Sequence, residues 1–530
     1  MKYLYSFFLL LLISSGSFAQ SVKDYQNPED VFSVSQYEEW LNLLHYKNKK
    51  SVVIDDTFFL SKEGYRNPKN ELDELIKEYI HPTYMDENDV ICRFPARINF
   101  IKKHFNLPQR KNKTNCVGYN EFRKKVSAQN IYMVFAGENN TSPSSMMGHL
   151  FLKLSGSVDG ITREHAFSFL ATFEEQTSLI TYSKILLNII DGYYMLSPYN
   201  QKALEYTEKE QRPLWEIELK LSESEKETLL QHMWELKNKQ ITYDFISHNC
   251  GNATIKILQI AKPGIISKDD KLWTPPLEYV GKVISDNKVE HIHLLPSSDY
   301  LTKMKHFNSV KNIAKANPSS KISIGFQHNR DNYLTLTFRP VYLDLSEPNT
   351  LYYDDLETKL FSFELKYNLK NNRVILDKID ILKMTSIIDF SVDSIFSKHF
   401  KVSMENNFSE DKTKLRPTVE FGMGIGLPIT RNIRSYILPK IGYRYNDIHN
   451  FYLNPEIGVI FTPVDKFKSI ISFENYLNTK ENNRGYSKKI ATSFVYQLNK
   501  RYSLELNLNR YFDTDTKNIN EIWLKTGFSF

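Results

Sequence analysis

The sequence predicts an α+β domain followed by an all-β antiparallel membrane barrel of about 12 strands. Three observations predict it. Helical and strand periodicities mix between about residues 30 and 315, and two-residue alternation of apolar and polar side chains takes over from about 320. The single long apolar run, near the N-terminus, is too short to span a bilayer as a helix. Hydrophobic residues make up 41% of the 530-residue chain and mean hydropathy is -0.43, which excludes a polytopic helical membrane protein. The 13% aromatic content excludes a disordered chain. Such a length exceeds one ordinary core, so at least two domains are expected. A net charge of +6, set against 68 basic and 62 acidic residues, is too weak a bias to point to nucleic acid.

Lys2 precedes the apolar run Tyr3 to Ile13, and Ser17-Phe18-Ala19 fits a signal-peptidase site. Residues 1–19 therefore read as a signal peptide, which places the three cysteines in an oxidising compartment. Residues 20–84 read as a helical N-terminal region. One helix is expected from Ser35 to Tyr46 and another from Glu71 to Ile80, the second preceded by Asn67-Pro68. Residues 85–300 read as an α+β domain. Strands are expected at Ile131–Phe135, His149–Leu154, Ala166–Leu170 and Leu214–Leu221. Ser222 with Glu225 is a capping box for a helix to about Lys237, and a last helix starts near Asn249. Residues 301–319 form a linker.

The barrel occupies 320–530. In one stretch Leu415, Pro417, Val419, Phe421 and Met423 alternate with Arg416, Thr418, Glu420 and Gly422. Comparable runs fall near 321–328, 332–344, 360–369, 373–383, 397–407, 433–445, 451–461, 467–476, 489–498, 503–509 and 522–530. These lengths suit a transmembrane barrel. A chain closing on Phe528 and Phe530 resembles the ending of bacterial outer-membrane proteins.

The sharpest chemical feature is Tyr243 to Asn252, where Cys250 stands at a loop-to-helix junction. A thiol there faces backbone N–H groups and the positive end of a helix dipole, which favour thiolate and can hold an oxyanion. The plainer alternative is a small buried hydrophobe. A thiolate needs a base. His149, which follows a small-residue loop at a strand start, and His248, two residues before Cys250, both qualify by spacing. His165, opening the next strand, would lie beside His149 across a pair, and mid-helix His232 reads as a surface or packing residue.

The stretch 85–280 resembles the Lnb-type N-terminal periplasmic domain family, also known as DUF4105. Four pieces carry the resemblance in order: Cys92 to Arg97, Ser145 to Leu152, Arg212 to Glu216, and Tyr243 to Cys250. The resemblance implies His149 and Cys250 as the catalytic pair; His165, Asn249, Ser145, Gly148 and Tyr243 are candidate accessory positions, with the third, orienting member left open. His-before-Cys order is similar to circularly permuted papain-like thiol enzymes, so a permuted papain-like thiol-enzyme domain is the implied fold. The family name implies lipoprotein N-acylation through a Cys250 thioester. A thiol hydrolase such as a cell-wall amidase or peptidase, and a non-catalytic outer-membrane scaffold, remain as alternatives. The family piece around Cys92 suggests a structural cysteine, and a Cys92–Cys116 disulfide is expected. No paired His or Cys stands at metal-ligand spacing, and no cofactor is called for. The expected partners are outer-membrane lipids or lipoproteins and the barrel insertion machinery, with no nucleic acid. The expected location is the outer membrane with the catalytic domain in the periplasm.

Overall fold

Asparagine caps open the first helices in a computed structural model of the chain. The structure describes residues 23–110, 113–137, 148–171, 190–244, 248–267, 274–298, 300–301, 313, 318–348, 355–390, 396–406, 415–445, 449–478, 488–512 and 518–530. The expected signal peptide and Ser145 lie outside them. A first compact unit runs to Phe122 and includes Gln231–Lys239. It holds α1 (Pro28–Ser35), α2 (Glu38–Leu43), α3 (Pro68–Ile80), α4 (Val90–Arg93), α5 (Pro95–His104) and the start of α6 (Val117–Lys125). Asn27 caps α1 through the Glu29 amide, Asn67 caps α3 through the Asn70 amide, and each helix has proline in its first turn. The single helix expected from Ser35 to Tyr46 is instead two. Ser35 turns its hydroxyl onto the Phe32 carbonyl at 2.6 Å, and Tyr37 is extended at ψ 136°, so the chain breaks before Trp40 enters the core.

Cys92 and Cys116 are bonded, as expected, across 24 residues of sequence. The bridge joins α4 to the start of α6, and Trp234 donates to the Cys92 carbonyl at 2.7 Å. Closing a loop of this length stabilises by about 3 kcal/mol in the chain-entropy account. Cys92→Ser is therefore expected to lower urea resistance of the helical unit by that order. The check is unfolding of the full chain with and without reductant, which should have no effect on the variant.

The second unit opens with a seven-stranded antiparallel sheet. Its strands are β1 (Asn130–Ala136), β2 (His149–Val158), β3 (Ile161–Ala171), β4 (Ile190–Pro198), β5 (Leu214–Leu219), β6 (Gln240–Tyr243) and β7 (Val289–Leu295), in the order β6-β4-β3-β2-β1-β5-β7. Its helices are α7 (Tyr199–Leu204), α8 (Glu223–Leu236) as far as Leu230, α9 (Cys250–Ala261) and α10 (Pro276–Ser285). The expected capping box opens α8: Glu225 accepts from the Ser222 amide at 2.7 Å and Ser222 from the Glu225 amide at 3.4 Å. Helix α9 lies on β2, and its Thr254 hydroxyl donates to the Leu150 carbonyl at 3.1 Å.

Then comes the barrel. Its spans are β8 (Lys321–Asn329), β9 (Asp331–Arg339), β10 (Leu356–Asn368), β11 (Arg373–Ser386), β12 (Ser397–Asn406) and β13 (Leu415–Thr430). Three broken spans follow: β14 (Ile433–Leu438 with Lys440–Tyr445), β15 (His449–Leu453 with Glu456–Val464) and β16 (Phe467–Asn475 with Leu477–Asn478). β17 (Lys488–Gln497), β18 (Tyr502–Phe512) and β19 (Ile519–Ser529) complete it. Each span pairs antiparallel with its neighbours, and β19 pairs with β8 from Ser529↔Lys321 to Ile522↔His328, closing a barrel of the expected twelve strands. The broken spans split at Pro439, at Asn454-Pro455 and at Tyr476; a proline offers no N–H to the ladder.

The alternation has the polarity of a membrane barrel. Ile324, Met423, Ile441, Phe451, Ile471 and Leu524 stand out from the wall, more than half exposed. Their neighbours Ser323, Thr418, Glu420, Lys468 and Lys525 point inward and are buried. An apolar exterior around a charged interior is the inverse of a soluble barrel and matches a hydrocarbon surround.

Candidate active site

The turn before β2 sets the histidine. Gly148 has φ +78°, and a Cβ there would come within 2.4 Å of the Phe135 ring, so glycine alone fits. His149 then begins β2 opposite Ala136. Its ring stacks near Phe151 and Tyr206, with centroids 5.8 and 6.2 Å away. Tyr206 stands on a five-residue π-turn, Glu205–Lys209, that continues α7. Such turns displace a side chain from the regular helical face and often mark functional sites. Beneath Tyr206 lies Arg212, its guanidinium 4.9 Å from the ring, donating to the carbonyls of Ala136 and Gly137. His149 is thus enclosed beside a fixed cation. Burial first, then Arg212 and Lys202, push its imidazole down to about 3. Its Nε2 is buried and has no hydrogen-bond partner among the described residues.

Asn249 sets the cysteine. Its side chain caps α9, accepting from the Gly251 amide at 2.9 Å and the Asn252 amide at 3.1 Å, so its placement is a cap. Cys250 is the first residue of α9 and is buried. The amides of Leu150 and Gly251 lie near its sulfur and act to favour the thiolate. The Leu150 nitrogen is bonded to the carbonyl carbon of His149, so α9 brings the thiol to the residue beside the histidine. Tyr243, the last residue of β6, is buried and stacks on Phe169 at 5.7 Å. His248 meets the same Phe169 edge-on at 5.3 Å.

Two expectations are corrected. Helix-terminal amides were expected to lower the thiol's pKa. Instead, burial pushes the Cys250 thiol up, and the amides of Leu150 and Gly251, with Arg212, only partly offset it. The resting pair is therefore a neutral thiol and a neutral imidazole, with no hydrogen bond between them among the described residues. His165 was expected to open its strand beside His149. β3 begins earlier, at Ile161, because Asp159 (φ 54°) and Gly160 (φ 76°) form a tight two-residue hairpin. That turn sets His165 opposite Leu154, and the same register carried on would put Leu170 against His149, five residues or ~16 Å away. His232 is a packing residue, fully buried with its Nε2 2.9 Å from that of His45.

Tyr206 was missed by sequence reasoning, and Arg212 was noted only as part of a motif. A thiol of raised pKa beside a neutral imidazole has a definite pH signature. Alkylation of Cys250 by iodoacetamide is expected to rise about tenfold per pH unit from 6 to 8, following the thiolate fraction, with no inflection near 6.5. A plateau below pH 7 would contradict the neutral resting pair.

Residues 118–285 match the family model described as Lnb N-terminal periplasmic domain. Residues 33–104 and 314–526 match two domains of unknown function, DUF7843 and DUF7840. The Cys92 to Arg97 piece thus falls in a separate family model from the other three. No curated protein matches the chain. Among solved structures, the NanC porin is 11% identical with a TM-score of 0.27 and aligns over 40% of this chain and 100% of its own. An outer membrane channel from Pseudomonas putida F1 is 9% identical with a TM-score of 0.28, over 42% of this chain and 100% of its own. LpxR from Salmonella typhimurium is 8% identical with a TM-score of 0.23, over 40% and 100%. Residues 118–285 thus resemble an Lnb-type N-terminal periplasmic domain, and they precede a closed twelve-strand barrel with the apolar exterior of an outer-membrane protein.

Proposed function

We propose that the periplasmic domain is a cysteine acyltransferase acting on acyl groups of outer-membrane lipids or lipoproteins, built as a circularly permuted papain-like thiol enzyme. The observation that carries this reading is the place of Cys250 at the head of α9, which packs on the strand opened by His149, with the Thr254 hydroxyl donating to the Leu150 carbonyl at 3.1 Å. The histidine precedes the cysteine in the chain, one on a strand and the other heading the helix packed on it. His149 turns toward the sulfur, and its Nε2 has no bond among the described residues to break in doing so. Nε2 takes the thiol proton, and the thiolate attacks the ester carbonyl carbon of the donor. The tetrahedral oxyanion collapses, the glyceryl oxygen leaves with the proton from His149, and an acyl thioester remains on Cys250. An amine then attacks the thioester, gives a proton to His149, and leaves as the amide while the thiol is restored. The Cys250 amide lies at the sulfur and is placed to donate to the oxyanion. The barrel holds the domain at the membrane surface, which raises the effective concentration of lipid-borne substrate.

The test is mass spectrometry of lipoprotein N-termini from cells carrying the wild-type gene, no gene, or Cys250→Ala. N-acylated termini are expected in the first only. Unchanged acylation in all three would sink the transferase reading. Release of free acid in place of the amide would assign the site to hydrolysis.

A further inference from the structure

The chain enters the barrel at Lys321 and β19 ends beside it at Ser529. At that end, two interstrand connections fold inward. Residues 344–347, between β9 and β10, form a turn in which Asp344 accepts from the Ser346 amide at 3.1 Å and the Glu347 amide donates to the Asp344 carbonyl at 3.0 Å. Residues 387–389, after β11, pass from the β10 ladder to the edge of β13, and the Ile387 side chain packs into the lumen. The Ile387 amide donates to the Asp355 carbonyl and the Gly426 amide to the Ile388 carbonyl, both at 2.9 Å. A Cβ on residue 426 would stand 2.6 Å from the Ile388 carbonyl oxygen, so glycine permits this approach.

The inserted segments are fixed by charge and by packing. Their acids meet bases that project from the wall. Arg434 binds Asp355 and Asp389, Lys468 lies 2.7 Å from Asp355, and Lys359 lies 2.9 Å from Asp344. Leu345 and Ile387 pack with inward-pointing Tyr436, Leu438, Ile460 and Ile470, an apolar cluster inside a lumen that is charged elsewhere. Side chains that line a pore stay wet. Here Lys468 and Asp355 are 2% and 1% exposed. The lining is wetter near mid-strand, where Lys378 is 32% exposed and Asp377 23%, and is buried again toward the opposite end, where Glu521 and Asn368 are each 3% exposed. A cavity of about 440 Å³ runs from Asn329, Tyr333 and Asn509 at that end down to Asp344, Leu345 and Ser346.

We infer that the barrel is an anchor that does not conduct, its lumen sealed at the end where the chain enters by residues 344–347 and 387–389. Opening it means separating buried ion pairs from their partners, which is costly because each charge is left unpaired in a poorly hydrated interior.

The test uses the full chain in planar bilayers. Wild-type protein is expected to give no conductance steps. Asp344→Ala/Asp389→Ala, which releases the first segment from Lys359 and the second from Arg434, is expected to give discrete steps. Steps from the wild type would overturn the inference. So would a silent double variant that keeps the heat-modifiable mobility of a folded barrel. A second measurement needs no conductance. In a Cys250→Ala background, Asn507→Cys, on the cavity lining midway along β18, should label readily with a membrane-impermeant maleimide. Ser397→Cys, at a fully buried position, should label at least about 100-fold more slowly, since it reacts only through opening. Equal rates would overturn the seal.

Discussion

Cys250→Ala is expected to lower acyl transfer by about 10⁴-fold or more, because no other described group can take over a covalent step. The substitution removes one buried sulfur, so global stability should fall by no more than about 1–2 kcal/mol. His149→Gln should cost less, about 10²–10⁴-fold, since water can replace a base poorly but a missing nucleophile not at all. The measurement is single-turnover acylation of an amine acceptor with purified protein, alongside its thermal unfolding. Retained activity in Cys250→Ala would remove the enzyme readings and leave a scaffold.

The largest stability effect is expected far from that site, at Arg97. It is fully buried in the helical unit between two carboxylates, Glu71 at 3.1 Å and Glu235 at 3.3 Å, both also fully buried. Its guanidinium lies 3.9 Å from the Phe58 ring centroid and 4.3 Å from that of Phe94. Glu71 also accepts from the amides of Leu60 and Ser61, and Glu235 from those of Ala96 and Arg97. Burial raises the Glu71 carboxyl and Arg97 pulls it back. Arg97→Met keeps most of the volume but strands two carboxylates in the core. A loss of about 3–5 kcal/mol is expected. Arg97→Lys should lose less, because an ammonium keeps the charge but cannot serve both acids with a planar fork. Urea unfolding of the full chain, followed by fluorescence of buried Trp40, reads the difference. A change under about 1 kcal/mol for Arg97→Met would mean the network contributes little.

The barrel was legible because its two faces meet such different surroundings. Every second residue of a span such as Leu415–Thr430 must suit lipid and its neighbour a charged interior, so the period survives in the bare sequence. What the lumen contains was not legible. The acids that seal it sit in connections that read as ordinary polar turns, and only closure brings Asp355 and Asp389 to Arg434. The thiol site was partly legible. Gly148-His149 and Asn249-Cys250 announce themselves, because a left-handed turn and a helix cap demand those residue types. The π-turn that displays Tyr206 has no comparable marker, since it differs from a helix by one hydrogen-bond step. The direction of the Cys250 shift was not legible either: helix position argues one way, and burial, known only after packing, outweighs it. His165 was misplaced although the sequence held the corrective, for Asp159-Gly160 is a strong hairpin signal and fixes the register.

The seam between β8 and β19 also dictates an order of events during manufacture. The first strand of the barrel to leave the ribosome finds its second partner only about two hundred residues later. Throughout export, β8 keeps one edge bare, able to template any passing strand. Something must therefore shield or occupy that edge until β19 arrives, so a stalled or truncated chain becomes an aggregation seed and not merely a shorter barrel.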